Sequence, residues 1–264
     1  MLIYTFLFFF IVLRMLLLFT ILKLHTSMNQ IIKKEDTIHD SGSIEDSVTY
    51  VFENGILTIK GEYFIGIRVE SMQPWFSYRS QIKTLIIEEN ITTIGEKSFY
   101  NLNELTSITL PKTVTYFEPC AFGNCSKLSS IIIPEDNEKY TVKDGVVYSK
   151  NMDIIVFVPM LKSIDYIIPK EVYRIDIYAF YFCQNKSITI PETITEISYY
   201  AFSNSYGTIS IDIPNSVTVI GSNAFDGFQT LETVYIGNGV TKLHEYVFGN
   251  CKNLKTVIFK EKCQ

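Results

Sequence analysis

The side chains in this 264-residue sequence with chemistry to offer are five cysteines, three histidines and 28 carboxylates. His244-Glu245 begins the H-E-x-x-H pattern, in which two histidines one helical turn apart hold zinc and the glutamate acts as base. Position 248 is Phe, so the second ligand is missing. His25 and His39 lie far from it in sequence. The cysteines, Cys120, Cys125, Cys183, Cys251 and Cys263, include no C-x-x-C pair of the kind that structural zinc sites use. No G-x-S-x-G elbow, phosphate-cradling Walker loop or G-x-G-x-x-G turn is present. The sequence therefore offers no catalytic residues, no metal ligands and no cofactor site, and an enzyme is the remote alternative. Three triplets, Asn90-Ile91-Thr92, Asn124-Cys125-Ser126 and Asn185-Lys186-Ser187, fit the N-glycosylation pattern, which matters only in a secretory pathway.

Composition narrows the class. Hydrophobic residues make up 47% and charged residues 19%, ample for a folded core. The net charge of −5 comes with no Lys/Arg-rich block, so a nucleic-acid partner is not expected. The 17 Tyr, 19 Phe and many β-branched residues favour strands over helices. Residues 1–24 are almost wholly apolar and match the ~20 residues that span a bilayer. They read as a membrane anchor, a signal peptide, or a stretch upstream of a true start at Met28. Arg14 interrupts the run, and no basic residue precedes it as a signal peptide would have. Residues 25–47 are polar and aperiodic, and form a linker.

The elements that would position any site are set by a repeat. With Pro111 as position zero, Val114 lies at +3, Phe117 at +6, Ala121 at +10, Phe122 at +11, Cys125 at +14, Leu128 at +17, Ile131 at +20 and Ile133 at +22. From Pro214 the same positions hold Val217, Ile220, Ala224, Phe225, Phe228, Leu231, Val234 and Ile236. Phe99, Phe122, Phe180, Phe202, Phe225 and Phe248 form one column, with steps of 22 or 23 residues except between Phe122 and Phe180. Such a period means stacked supersecondary units. Positions +17, +20 and +22 spell the leucine-rich-repeat strand signature. Side chains alternate along a strand, so +20 and +22 point into the core while +19 and +21 face out. One unit cannot bury its apolar face alone, so the stack folds through neighbour contacts.

The spacing predicts a β-rich leucine-rich-repeat solenoid, right-handed, with one parallel sheet of about eight short strands and ~23-residue repeats. Residues 82–264 carry the repeats, and residues 48–81 form an N-terminal β-hairpin cap turning at Asn54-Gly55, the strongest short hairpin signal. Pro134 to Pro169 is 35 residues, one period plus 12. The excess holds "GVVYS" and "DIIVFV" joined by "KNM", a hairpin insertion at about 135–163.

The frame of "IPNSVTVIGSNAFDGF" and "LPKTVTYFEPCAFGNCSKL" resembles the BspA-like leucine-rich repeats over roughly residues 48–264. "YVFENGILTIKGEY" with "PWFSYRSQIKTLIIEENITTIG" looks like that family's N-terminal cap, and "YTVKDGVVYSKNMDIIVFVP" like its expanded repeat. The resemblance implies a surface or secreted protein of adhesion type that binds a protein or glycan. An intracellular protein-interaction scaffold of the same fold is the alternative, and residues 1–24 discriminate the two.

Position +14 holds Cys125, Cys183 and Cys251 but Leu102 and Phe228 elsewhere, so it is a core position and these thiols are expected to be buried and free. Two outward surfaces are candidates for a partner. The first is the sheet face. Column +19 carries Thr84, Ser107, Ser130, Asp165, Ser187, Ser210, Thr233 and Thr256, and column +21 includes Thr109, Thr189, Asp212 and Tyr235 beside Ile86, Ile132, Ile167 and Ile258. Small hydroxyls also suit exposed strands by bonding one another. The second is aromatic: Tyr173, Tyr178, Tyr181, Tyr199, Tyr200 and Tyr206 fall in two neighbouring repeats outside the core columns. The final strand, near Thr256 to Phe259, is expected to be an open edge with weak self-association. Lys260, Glu261 and Lys262 stand beside it as charged guards, and Cys263 as a potential cross-link.

Overall fold

The computed structural model describes residues 39–45, 47–65, 73–118, 120–160 and 164–261, together with Lys23. Apart from Lys23, residues 1–24 thus lie outside the described residues, as do the greater part of 25–47, Lys262 and Cys263. Two compact units are present. One comprises Met1–Asp40 with Phe52–Asn54, of which few residues are described; Phe52 in it is buried. The other comprises Ser41–Val51 with Gly55–Gln264 and holds every repeat.

The strands run in chain order as β1 (His39–Glu45), β2 (Val48–Glu53), β3 (Ile56–Gly61), β4 (Tyr63–Ile65), β5 (Thr84–Ile87), β6 (Ile91–Ile94) and β7 (Ser107–Thr109). Next come β8 (Tyr116–Phe117), β9 (Ser130–Ile132), β10 (Tyr140–Lys143), β11 (Val146–Ser149), β12 (Ile154–Phe157), β13 (Asp165–Ile167) and β14 (Arg174–Ile175). The last are β15 (Ser187–Thr189), β16 (Glu196–Ile197), β17 (Ser210–Ile213), β18 (Val219–Ile220), β19 (Thr233–Ile236) and β20 (Thr256–Phe259). A single 3-10 turn, Phe76–Tyr78, is the helical element among the described residues from 39 to 261.

The +19 to +21 strands form the parallel ladder that the repeat requires. β3, β5, β7 and β9 pair in order, then β13 with β15, then β17, β19 and β20. From β5 onward each register step is one repeat, as in Ser210↔Thr233↔Thr256. Inward residues such as Ile108, Ile211 and Val234 are buried, while their strand neighbours face out. The expected sheet is therefore present, in three segments. A second parallel ladder, not foreseen from the sequence, lies at +5 and +6: β4–β6–β8, and β12–β14–β16–β18. Two-residue strands are too short to show a period-2 pattern.

The phenylalanine column is the core. Phe99, Phe180, Phe202 and Phe225 are fully buried and Phe122 nearly so, with Phe248 partly buried. Their rings stack coil upon coil, at 5.8 Å between Phe99 and Phe122, 4.7 Å between Phe180 and Phe202, 5.0 Å between Phe202 and Phe225, and 5.4 Å between Phe225 and Phe248. Trp75 continues the column into the N-terminal coil, stacked on Phe99 at 5.2 Å. Such pairs add about 0.5–1.5 kcal/mol each beyond the area they bury.

A turn carries the column, and it enters the left-handed region twice per coil. Position +13 does so at Asn101, Asn124, Phe182, Asn204, Gly227 and Asn250, mostly residues that tolerate it. Position +9 does so at Lys97, Cys120, Tyr178, Tyr200, Asn223 and Tyr246, mostly residues that do not. Neighbour contact outweighs a local cost of roughly 1–2 kcal/mol each. Phe202 N–H donates to Ala224 O at 2.7 Å and Asn204 N–H to Asp226 O at 2.8 Å, and Phe180 and Phe182 bond forward in the same way. Gly221 sits where two coils approach closely, since a Cβ there would lie 2.6 Å from Tyr199 N.

The expanded coil breaks the pattern. β10 and β11 form a hairpin through Asp144-Gly145, both at positive φ. β11 also pairs antiparallel with β12, which then enters the second ladder beside β14. Val158 occupies the phenylalanine site, its N–H donating to Ala179 O at 2.8 Å as Phe180 does to Ala201. Asn137, 1% exposed, pins the insertion to the preceding coil. Its Nδ2 donates to the carbonyls of Lys112 and Val114 at 3.0 and 2.9 Å, and its Oδ1 accepts from the N–H groups of Lys139 and Tyr140, both at 2.8 Å.

Phe225 has ring partners on both sides, so Phe225→Ala is expected to destabilise the fold by roughly 3–5 kcal/mol in urea or thermal melts. Melting indistinguishable from the parent would contradict its place in the core.

Candidate functional site

The sheet face has the expected columns. Position +19 aligns Thr84↔Ser107↔Ser130, Asp165↔Ser187 and Ser210↔Thr233↔Thr256. Position +21 aligns Ile86↔Thr109↔Ile132, Ile167↔Thr189 and Asp212↔Tyr235↔Ile258. Some hydroxyls bond within the face: Ser107 Oγ to Thr84 Oγ1 at 3.2 Å, and Ser187 Oγ to Asp165 Oδ1 at 2.7 Å. The apolar side is open, with Ile132 54% and Ile167 70% exposed. Among the described residues no strand pairing joins Ser130 to Asp165 or Ser187 to Ser210.

At the end of this face Lys260 folds back across two strands. Its Nζ forms an ion pair with Asp212, over a shallow depression shared with Thr189, Glu192, Ser210 and Tyr235. It does not stand outward as a guard of β20. All four residues of that strand are exposed, and it pairs with β19 alone among the described strands.

Three of the six candidate tyrosines come together. Tyr178 and Tyr200 share position +9 in adjacent coils and stack at 4.9 Å, 3° from parallel. Tyr181 meets Tyr178 edge-on at 5.1 Å. No ring contact among the described residues joins Tyr173, Tyr199 or Tyr206 to this cluster. Burial raises the Tyr178 and Tyr181 phenols above the usual range.

This cluster forms one wall of a cleft that sequence reasoning missed. In the expanded coil β12 runs straight where the other described coils from Glu88 onward have their turn, so one ridge of the stack is absent. The gap is floored by Val156 and Phe157. One wall is Cys120–Gly123 with Tyr116–Glu118 below it, and the other is Asp176–Tyr178 with Tyr181. The cavity measures about 120 Å³. Glu118 and Asp176 both line it; Glu118 Oε2 accepts from Glu96 N–H at 2.8 Å, and Asp176 pairs with Arg174 at 3.8 Å. Their charge is felt nearby: burial, then Glu118 and Asp176, pushes the Tyr116 phenol up. The available signal was the missing A-F turn motif between Phe122 and Phe180, read together with the residues that flank it.

The thiols do not form a site. Cys125 and Cys183 are buried and free, each Sγ donating to a backbone carbonyl one coil back, Phe99 O at 3.2 Å and Val158 O at 3.3 Å. Cys251 is half-buried and repeats the contact with Phe225 O at 3.0 Å. Burial lifts Cys120 and Cys125 to about 12, and raises Cys183 and Cys251 as well. Among the described residues no group of three or more His, Cys, Asp or Glu is placed to hold a metal ion. Asn185 is 1% exposed, so its triplet leaves no room for a glycan. No helix of the described residues is long and apolar enough to cross a membrane.

A family model described as a BspA type leucine rich repeat region matches residues 70–166 and 161–264, with six copies. No curated protein matches the chain. Solved structures with similar folds include a leucine-rich repeat protein from Eubacterium ventriosum, 20% identical, with a TM-score of 0.49 and coverage of 84% of this chain and 85% of that one. A leucine rich cell surface protein from Faecalibacterium prausnitzii is 24% identical, also with a TM-score of 0.49, and the match covers 73% of this chain and 62% of that one.

The raised thiols set a pH dependence. Unfolded thiols titrate near 9.0, whereas Cys120 and Cys125 hold their protons in the fold to about 12. Above pH 9.0 the unfolded chain therefore binds fewer protons, and stability falls as pH rises toward 12. The expected Tm declines across this window, and less so in Cys125→Ala relative to its own value at neutral pH. Alkylation of folded chain near pH 7.5 should spare Cys125 and Cys183, since reactivity requires an accessible thiolate. Their rapid labelling in the folded state would contradict this burial.

Proposed function

We propose that this chain, which belongs to the BspA-type leucine-rich-repeat family, is a non-catalytic binding module that presents its sheet face to an extended polypeptide or glycan at a cell surface or after secretion. Its family consists of repeat proteins that are generally non-catalytic. The observation that carries the reading is the face itself. Small hydroxyls at +19 run beside exposed Ile132, Ile167, Tyr235 and Ile258 at +21, with little charge. Hydroxyls offer both donors and acceptors, and the apolar row offers area, the combination that an extended chain or sugar requires. Concave solenoid faces are the usual place for such contacts. Attachment to a membrane would run through residues 1–24.

The test uses the full chain against a panel of immobilised polypeptides and glycans, with Ile132→Arg, Ile167→Arg and Thr189→Arg on the face. Binding that falls at least about tenfold in these variants at unchanged Tm is expected, since a long charge in the centre of an interface desolvates badly. Binding untouched by all three would overturn the use of this face. Protease added to intact cells is expected to cut the protein. Complete protection would overturn the surface reading while leaving the binding module intact.

A further inference from the structure

We infer that the cleft over the expanded coil is a socket for the cationic side chain, lysine or arginine, of a partner polypeptide. This site is separate from the sheet face and goes beyond the function proposed above.

Its size is the first constraint. A cavity of about 120 Å³ holds roughly four waters at ~30 Å³ each, well short of the ~300–1,000 Å³ of sites that enclose whole small-molecule ligands. It fits one long side chain. Its walls are the second. Tyr116, Phe117, Tyr178 and Tyr181 offer ring surface, and Tyr178 is held in place by stacking on Tyr200. Aromatic faces attract cations through the ring quadrupole, while the alkyl stem of lysine or arginine packs on the same surface.

Charge is the third constraint. Glu118 and Asp176 enter from opposite walls, one from each flanking coil. Glu118 has no ion-pair partner among the described residues, its Oε2 accepting only from Glu96 N–H, and Asp176 makes one loose ion pair, with Arg174 at 3.8 Å. No lysine or arginine among the described residues lines the cavity. Two negative charges across an aromatic cleft disfavour an anion and are complementary to one ammonium or guanidinium group. A neutral sugar would use the rings but leave that charge unanswered.

The arrangement has a cause in the chain. Among the described coils from Glu88 onward, the turn at +9 to +13 fills this place except in the expanded coil. Tyr178 shares the left-handed backbone of position +9, at φ 57°, and its ring lies parallel to that of Tyr200.

The test is an NMR titration of the full chain, with ring-labelled tyrosine, by a capped tripeptide with central lysine. Peptides with central arginine or norleucine serve as companions, and lactose as a neutral sugar. Saturable shifts confined to Tyr116, Tyr178 and Tyr181 are expected with the lysine or arginine peptide, lost at high ionic strength and absent with norleucine. Glu118→Gln and Asp176→Asn should each weaken binding about threefold or more, the scale of a partly exposed ion pair. Asp212→Asn on the sheet face should leave it unchanged. The inference is overturned if norleucine binds equally, if both cleft variants bind as the parent does, if lactose saturates these shifts while the cationic peptides do not, or if none of the ligands produces saturable shifts. Each of these results is independent of the sheet-face binding assay.

Discussion

A single coil of this chain cannot satisfy itself. Its interior is a strip of branched and aromatic side chains, and its backbone N–H and C=O groups point along the stacking axis, so both need a coil on each side. That constraint explains features that look unrelated in isolation. Rings at +11 repeat at 4.7–5.8 Å because the coils above and below fix their spacing. Thiols at +14 donate to carbonyls one coil back because a buried polar group there must find a partner. Tyrosines accept left-handed backbone at +9 because the turn is bonded forward at two points.

In the expanded coil one unit departs from the pattern without breaking the stack. It joins the second ladder of the following coils through β12 and sets Val158 at the phenylalanine position, while Phe157 meets Phe122 at 6.0 Å across the break in both ladders. The Tyr148 and Tyr166 hydroxyls meet at 2.7 Å inside it, which satisfies two polar groups that burial would otherwise strand. At the missing turn, ring surface and opposed carboxylates face an opening instead of another coil. Structural economy and a potential binding site therefore arise from the same twelve-residue insertion.

Much of this was readable in the residues. The Phe122 and Phe225 columns, the outward Ser and Thr at +19, and the Asn54-Gly55 turn follow from period, alternation and the backbone freedom of Asn and Gly. Other parts were not. Trp75 belongs to the column, but the coil that carries it lacks the repeat frame. Val158 is an ordinary valine until its hydrogen bond to Ala179 places it. Lys97, Cys120 and Tyr178 give no hint of positive φ, because tertiary contact imposes it. The cleft was hidden for a related reason: Glu118 and Asp176 are far apart in sequence and line one cavity only once the coils are stacked. The six tyrosines share a neighbourhood in sequence, but three are drawn together by position +9 and its turn.

The direct measure of a stack held by its neighbours is native-state hydrogen exchange at Phe180, Phe202 and Phe225, whose N–H groups each bond to the next coil. These three amides should exchange only through a shared opening, with one common free energy near that of global unfolding, and far more slowly than amides of the exposed strand β20. Three unrelated exchange rates, or protection no greater than that of β20, would contradict a cooperative solenoid built on coil-to-coil contact.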